Sequence, residues 1–340
     1  MNADADNLLE VSGLKVHFPL PRKNLMTPGG TVHAVDGINY NVRRGSTFGI
    51  VGESGSGKTT AALAAMRLVP ITAGSIRLDG TEMTTLEGDA LRAMRRKIQI
   101  VFQDPYSSLN PRMRAGAIVR EPMDLMDVGS PDERDRRVAE LFRRVGLRPE
   151  QVALFPHQFS GGQRQRIGVA RALATQPELI VCDEPVSALD VAIQAQILNL
   201  LRELQRDFGL TYLFISHDLG VVQYICDDIA VMYLGEIVEQ SDRISLFSTP
   251  LHPYTWALIS AVPSARHRKG EEDNRVRLQG DPPSPIDPPP GCHFAPRCPF
   301  AEDRCHREKP SLREVKAGHL VSCHLVGEDC VPPHVKTAAA

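Results

Sequence analysis

The segment from Gly52 to Thr59 constrains the fold of this chain more than any other feature of the sequence. It reads Gly-Glu-Ser-Gly-Ser-Gly-Lys-Thr and lies between an apolar run, 47–51, and an Ala-rich stretch, 59–68. Glycines at these positions let backbone N–H groups turn inward around an anion, and a following helix points its positive dipole end at the same place. A chance glycine-rich turn is the alternative, and the strand and helix signals on either side disfavour it.

The loop pattern also predicts what individual side chains do. Lys58 is expected to reach the β- and γ-phosphates of a nucleotide, and the Thr59 hydroxyl is expected to bind Mg²⁺. The full set of candidate nucleotide ligands in this segment is Gly52, Ser54, Gly55, Ser56, Gly57, Lys58, Thr59 and Thr60.

A second apolar run ends in two adjacent carboxylates, Asp183 and Glu184. Because residues 179–182 are typical of a buried strand, this run places both acids at a strand end. Beside a phosphate loop, we expect Asp183 to hold Mg²⁺ and Glu184 to orient and deprotonate an attacking water. A surface turn is the alternative interpretation of the pair taken alone.

Strand and helix signals alternate along most of the chain. Partial alternation over 8–18 predicts a half-buried edge strand, and 32–42 is a second extended stretch. Helical spacing recurs in four segments, and short apolar strands separate some of them. The order predicts an α/β fold with a mostly parallel sheet. The predicted helices are 59–68, 132–147, 164–173 and 192–208, and the later strands are 179–181 and 213–215.

Charge and hydropathy exclude two classes of protein. The net charge of −2 gives no basic excess for binding a phosphate backbone, so nucleic acid is not expected as a partner. No run approaches the roughly 20 apolar residues of a membrane-spanning helix. The acidic start of the chain, Met1–Asp6, differs from the basic start of a signal peptide, so we expect a cytosolic location.

Further motifs lie in a recognisable order around the phosphate loop. Phe-Ser-Gly-Gly-Gln-Arg-Gln-Arg occupies 159–166, and Val-Phe-Gln-Asp-Pro occupies 101–105. Ser-Ala-Leu-Asp follows at 187–190, and Ile-Ser-His-Asp follows at 215–218. Together with the phosphate loop and the paired carboxylates, these segments resemble the ATP-binding cassette (ABC) ATPases over about residues 8–250.

The resemblance implies a P-loop NTPase fold of the ABC nucleotide-binding type. Such a domain has a RecA-like core, an antiparallel β subdomain and an α-helical subdomain, which here would cover about 105–175. The predicted domain boundaries are 1–262 for the nucleotide-binding domain and 263–340 for a C-terminal extension.

Several roles follow from the family resemblance alone. Gln103 would sense Mg²⁺ and water and touch the membrane subunits, while His217 would contact the γ-phosphate and hold Glu184. Phe18 would stack on adenine. Two such domains pack head to tail, so the signature loop of one would bind the ATP of the other, and Asp190 would couple the two sites. The signature-loop residues are Ser160, Gly161, Gly162 and Gln163.

Longer matches narrow the resemblance to the ATPases of dipeptide and oligopeptide importers. These are 103–113, 182–191 and the C-terminal segments 252–255, 283–285, 289–294 and 297–299. This implies an ATPase at the cytoplasmic face of the membrane, paired with a related ATPase subunit and two permeases and served by a substrate-binding protein. The alternatives are an importer of nickel chelates or sugars, a soluble ABC ATPase, and a redox-sensing regulator.

The C-terminal extension has its own composition. Six prolines within 281–290 predict an extended tether, and five of the seven cysteines follow it. A [4Fe–4S] cluster, zinc and free thiols are the three interpretations of four of them, since related importer subunits carry such a cluster. Cys330 is expected to be unliganded, and Cys182 and Cys226 to be inert core residues. The candidate cluster ligands are Cys292, Cys298, Cys305 and Cys323.

Overall fold

A computed structural model of the chain describes residues 6–21, 29–262, 278, 280–327 and 329–333. The strands are β1 Asn7–Pro19, β2 Thr31–Arg43, β3 Thr47–Val51, β4 Ala73–Leu78, β5 Thr81–Glu82, β6 Ile98–Val101, β7 Leu179–Asp183, β8 Thr211–Ser216, β9 Asp228–Tyr233, β10 Glu236–Asp242, β11 Arg313–Lys316 and β12 His319–Val321. The α-helices are α1 Lys58–Ala65, α2 Gly88–Lys97, α3 Ala115–Leu125, α4 Pro131–Arg144, α5 Gly161–Leu173, α6 Val191–Phe208, α7 Leu219–Ile225, α8 Arg243–Ser248, α9 Pro253–Ser260 and α10 Asp303–Arg307.

The chain divides into two compact units. The first contains Ile76–Ile215, Asn41–Thr47 and the described residues up to Glu10. The second contains Val11–Tyr40, Phe48–Ser75 and the described residues from Ser216 onward.

Parallel strands form the centre of the first unit. The strands β6, β7 and β8 pair in parallel, with Ile100 opposite Val181 and Val181 opposite Leu213. All five residues of β7 are buried, which explains its uninterrupted apolar sequence. The parallel α/β arrangement predicted from the alternating elements is confirmed here.

Local sequence signals set the ends of the helices in this unit. At the start of α4 the Ser130 hydroxyl accepts from the Glu133 amide, the Glu133 carboxylate accepts from the Ser130 amide, and Pro131 fills the first turn. The helix α6 begins after Asp190, whose carboxylate accepts from the Ile193 amide at 3.0 Å. It ends at Gly209 in a left-handed conformation, φ 65°.

In the second unit β3 pairs in parallel with β9, and an antiparallel meander of β9, β10, β12 and β11 continues from it. The strand β12 comes from the C-terminal extension and pairs with β10, with Val321 opposite Glu239. Glu239 is fully buried, and its carboxylate lies 2.7 Å from His319 Nε2. It also accepts from the amides of Leu251 and His252. The extension therefore contributes a strand and a buried polar contact to this unit.

One sequence prediction about the strands is wrong. The strand β1 is not an edge strand, because the four-stranded sheet has the order β2-β1-β4-β5. The strand β4, which pairs with β1, comes after the phosphate-loop helix in the sequence. The alternation of residues within β1 therefore could not reveal this pairing. The expected domain boundary after residue 262 adjoins 263–277, which lie outside the described residues, and it stays a prediction.

Candidate nucleotide-binding site

The phosphate loop connects β3 to α1 and requires glycine at its ends. Gly57 has φ 102°, and a Cβ there would lie 2.1 Å from the Ala34 carbonyl oxygen. A Cβ on Gly52 would lie 2.1 Å from the Met232 carbonyl oxygen. Neighbouring backbone therefore presses against the loop from two sides and leaves no room for a side chain at either glycine.

Lys58 turns its ammonium group into the loop. Its side chain is 4% exposed, and Nζ donates to the carbonyl oxygens of Gly52 at 2.9 Å and Glu53 at 2.8 Å. Within the described part of the chain the buried Ser56 hydroxyl has no hydrogen-bond partner. A buried ammonium, an unsatisfied hydroxyl and the start of α1 converge on this loop, so its groups fit the oxygens of a phosphate.

The other predicted ligands of this loop lie on its outer side or in the first turn of α1. Ser54, Gly55 and Thr59 are exposed, and Thr60 is half-buried. Phe18, near the end of β1, is 36% exposed, which leaves part of its ring accessible for stacking. His217 is exposed between β8 and α7. The phosphate loop, Phe18 and His217 all belong to the second unit.

The paired carboxylates lie where β7 ends, in the first unit. Asp183 is the last residue of the strand and is 6% exposed. Glu184 follows in the left-handed conformation, φ 46°, and its amide donates to the Ile215 carbonyl oxygen at 3.0 Å. A non-glycine residue in this conformation is strained, and such strain clusters at functional sites.

Gln103 meets Glu184 directly. Its side-chain Nε2 donates to Glu184 Oε2 at 3.0 Å, across 81 positions of sequence. The fold thus brings together two of the three residues predicted as catalytic. An uncharged amide can orient a carboxylate by this bond without supplying a cation that would lower its basicity.

The signature segment forms the N-terminus of α5. Ser160 is the capping residue: its hydroxyl accepts from the Gln163 amide at 3.3 Å, and its own amide donates to the Gln163 side chain at 3.0 Å. Gly161 and Gly162 occupy the first turn, where backbone N–H groups have no partner within the helix. A Cβ on Gly162 would lie 2.5 Å from Ile193 Cγ2, so this position needs glycine for packing against α6.

Four thiols gather in the C-terminal extension. Burial, with a smaller contribution from Cys323 and Cys305, raises the pKa of Cys292 to about 11. Burial also raises the pKa of Cys298 to about 12, with the other three thiols adding to it. The four predicted cluster ligands therefore lie within electrostatic reach of one another.

The distances between the sulfur atoms of these cysteines can be compared with those of a zinc site. Among the described residues, no three cysteine sulfurs lie within 4.8 Å of one another. Four thiolates around one zinc ion at about 2.3 Å would lie closer together than that. Cys330 donates to the Val315 carbonyl oxygen, while Cys182 and Cys226 are buried in the core, as the sequence predicts.

A further group that the sequence did not reveal combines His17, His33 and Asp36. Their ligand atoms lie within 4.8 Å of one another. Burial alone would raise the pKa of Asp36, but Lys15 and Lys309 outweigh it and hold that pKa at about 2. Since two ammonium groups already neutralise the carboxylate, we assign no metal to this group.

Family models match two parts of the chain. One described as ABC transporter matches 35–187, and one described as the C-terminal region of oligopeptide/dipeptide transporters matches 238–305. In the described part of the chain, no helix has both the length and the apolar composition that a bilayer crossing requires.

Curated proteins match almost the whole chain. The oligopeptide transport ATP-binding protein AppF of Bacillus subtilis is 48% identical over 324 residues, which cover 95% of this chain and 98% of that protein. A probable peptide ABC transporter ATP-binding protein of Sinorhizobium fredii, y4tS, is 49% identical over 321 residues, 94% of this chain and 90% of its own length.

Solved structures match the fold. The ATP-binding cassette MJ0796, in a dimeric post-hydrolysis state with ADP and phosphate, superposes with a TM-score of 0.61 at 29% identity. The match covers 69% of this chain and 98% of that one. The chain cbiO1 of Clostridium perfringens, part of the transporter complex cbiONQ, has a TM-score of 0.61 at 28% identity, over 72% of this chain and 91% of its own.

Proposed function

This chain belongs to the ATP-binding proteins of oligopeptide and dipeptide ABC transporters, and we propose that Lys58, Asp183 and Glu184 perform its ATP hydrolysis. It is the ATP-binding and hydrolysing subunit of a peptide importer, and it works with membrane permeases. The geometry that best supports these roles is the Lys58 ammonium held inside the phosphate loop by two carbonyl oxygens.

The nucleotide is proposed to bind through its phosphates to the loop. The backbone N–H groups, Lys58 Nζ and the Ser56 hydroxyl would take phosphate oxygens, and Phe18 would stack on the adenine. Thr59, Gln103 and Asp183 carry the oxygen ligands that Mg²⁺ prefers, and Mg²⁺ would neutralise charge on the β- and γ-phosphates.

Glu184 is proposed to accept the proton of the attacking water. Its carboxylate accepts a hydrogen bond from Gln103 at one oxygen, and the second oxygen is proposed to hold the water. His217 would contact the γ-phosphate and steady Glu184, as the family resemblance implies. Each of these steps places an existing charge or dipole where charge develops during hydrolysis.

We propose that two ATPase chains close around two nucleotides. In that dimer Ser160, Gly161 and Gly162 present the N-terminus of α5 to the ATP of the partner, with Gln163 fixing the turn and Asp190 coupling the sites. The partner is proposed to be a related but distinct chain. The assembly would lie at the cytoplasmic face of the membrane with two permeases and receive peptide from a substrate-binding protein.

The function is tested by assembling the chain with its partner ATPase and permeases in vesicles and measuring ATP-dependent uptake of a labelled peptide. The expected result is uptake with the native chain and loss of uptake with Lys58→Ala. The exposed variant Glu203→Gln on α6 serves as the control and should transport normally. Uptake of a nickel chelate or a sugar instead of peptide would show that the cargo is not a peptide. ATPase activity without permease binding would indicate a soluble ABC protein.

The four thiols of the extension are proposed to hold a [4Fe–4S] cluster, a centre that four thiolates suit. Their mutual electrostatic influence supports this choice. Such a cluster would supply one-electron redox chemistry or structural cross-linking to the extension. Anaerobic purification should give a brown protein that absorbs at about 400 nm and contains stoichiometric iron. Stoichiometric zinc, or no metal, would contradict the proposal.

A further inference from the structure

Glu53, the second residue of the phosphate loop, is held at four separate atoms. Its amide donates to the Tyr254 hydroxyl at 2.8 Å, and its carbonyl oxygen accepts from Lys58 Nζ at 2.8 Å. Its carboxylate accepts two hydrogen bonds from Arg297, at 2.7 and 3.1 Å. The residue that holds the phosphate-binding lysine is therefore itself held by a side chain from the C-terminal extension.

The Arg297 side chain is held in a position from which it can bind Glu53. It is only 7% exposed, and its guanidinium also lies 3.4 Å from the Tyr233 hydroxyl. Beneath it, the rings of Tyr233, Tyr254 and Phe294 pack with centroids 4.7 to 5.4 Å apart. A two-bond Arg–carboxylate pair is directional, and this aromatic packing limits the rotamers that Arg297 can adopt.

The Arg297–Glu53 pair also neutralises a negative charge within the phosphate loop. A carboxylate beside a site for a polyanion raises the free energy of the bound nucleotide unless a cation neutralises it. Arg297 stays protonated at every physiological pH, so it compensates Glu53 permanently.

We propose that Arg297 is a positioning residue of the nucleotide site, which holds and neutralises Glu53 so that the phosphate loop is arranged to bind ATP. The inference rests on the proposed function of that loop. It makes the C-terminal extension part of the ATP-binding machinery. Arg297 directly precedes Cys298, so one of the four thiols lies one residue away from the contact that holds the phosphate loop.

The test measures ATP binding to the full-length chain by titration calorimetry. Arg297→Gln leaves Glu53 charged and unpaired, so the dissociation constant for ATP should rise about 10-fold or more. The double variant Glu53→Gln/Arg297→Gln removes the charge together with its partner and should return to within about 3-fold of the native value. Arg297→Lys keeps the charge without the two-bond geometry and should fall between them.

A second readout separates positioning from general destabilisation. Hydrogen exchange of the amides in 52–58 should be faster in Arg297→Gln, while exchange in α5 and α6 stays native. Arg304→Gln is the matched control, because Arg304 lies in the same extension and pairs with Glu308 on the surface. It should leave ATP affinity and exchange unchanged.

The outcomes are distinguishable from a failure of the proposed function. If the native chain does not bind ATP, the proposed function fails. If the native chain binds ATP and Arg297→Gln binds it equally well, or if the double variant binds ATP no better than Arg297→Gln does, the role of Arg297 is refuted. Should Arg297→Gln not fold, Arg297→Lys and the double variant give the same comparison.

Discussion

The side-chain amide of Gln103 donates a 3.0 Å hydrogen bond to the carboxylate of Glu184. Gln103 follows β6, and Glu184 follows β7, the parallel neighbour of β6. Because parallel strands carry their C-terminal ends to the same edge of a sheet, residues far apart in sequence meet there. The contact gives the Glu184 carboxylate a fixed orientation without changing its charge.

Replacing Glu184 with Gln should lower the rate of ATP hydrolysis by about 10²-fold or more, because an amide cannot accept the proton of the water. ATP binding should stay intact, since the phosphate-loop contacts do not involve this side chain. Phosphate release by the assembled transporter and ATP binding by the chain measure the two effects. Native turnover in this variant would contradict the assignment of Glu184 as the base.

Replacing Gln103 with Glu places two carboxylates at hydrogen-bond distance. Since both cannot ionise at ordinary cost, the apparent pKa of the pair rises and the acid limb of the kcat profile moves to higher pH. We expect about a 10-fold loss of kcat near pH 7 that recovers as the pH increases. Gln103→Met removes the hydrogen bond without adding charge, so its acid limb should stay at the native pH. A native acid limb in Gln103→Glu would show that the two side chains are not coupled.

Two glycines of α5 should respond in opposite ways to alanine. Gly162→Ala brings a Cβ to 2.5 Å from Ile193 Cγ2, so it should lower the free energy of unfolding by about 1–3 kcal/mol. At Gly168 the described part of the chain places no heavy atom within 4 Å of a new Cβ. Gly168→Ala should therefore raise the free energy of unfolding by about 0.5–1 kcal/mol through helix propensity. Urea unfolding measures both, and equal effects would contradict the packing of α5 against α6.

The buried thiols should make the metal-free chain sensitive to alkaline pH. Burial raises the pKa of Cys292 to about 11 and that of Cys298 to about 12, from an ordinary value of 9.0. Folding therefore favours the protonated thiols, and this contribution to stability is complete below pH 9 and is lost as the pH rises toward 11 and 12. Alkylation of both thiols should be slow at pH 8 and accelerate steeply above pH 10.

Urea unfolding of the metal-free chain at pH 7 and pH 10 measures the same linkage. Cys292→Ser and Cys298→Ser should each reduce the difference in stability between the two pH values. Cys330→Ser, outside the four-thiol group, is the control and should leave that difference unchanged. A stability that does not change between these pH values in the native chain would show that the thiols are not buried.

Local patterns predicted the elements that carry the phosphate loop and the paired carboxylates. The predicted strands at 47–51 and 179–181 correspond to β3 and β7, because a buried parallel strand needs an unbroken apolar run. The helix predicted over 59–68 ends earlier, at Ala65, since Arg67 adopts φ 56° and breaks the helical path. Boundaries of this kind depend on tertiary contacts that local sequence does not encode.

The contacts around the C-terminal extension could not be predicted from sequence. Glu53 and Arg297 are 244 positions apart, and no local pattern in either motif indicates that the two side chains pair. The four thiols were identified by composition and family resemblance, but their distances depend on how the extension folds. The roles of His217, Phe18 and Asp190 likewise came from the resemblance and stay predictions.

The pairing of β12 with β10 limits when the second unit can fold during synthesis at the ribosome. Glu239 is buried beside His319, a residue translated 80 positions later. While the nascent chain lacks β12, β10 keeps an uncovered edge and a carboxylate without its imidazole neighbour. The second unit consequently completes its fold only after residues 319–321 have left the ribosome, and premature stop codons before residue 319 should yield chains that chaperones and proteases remove.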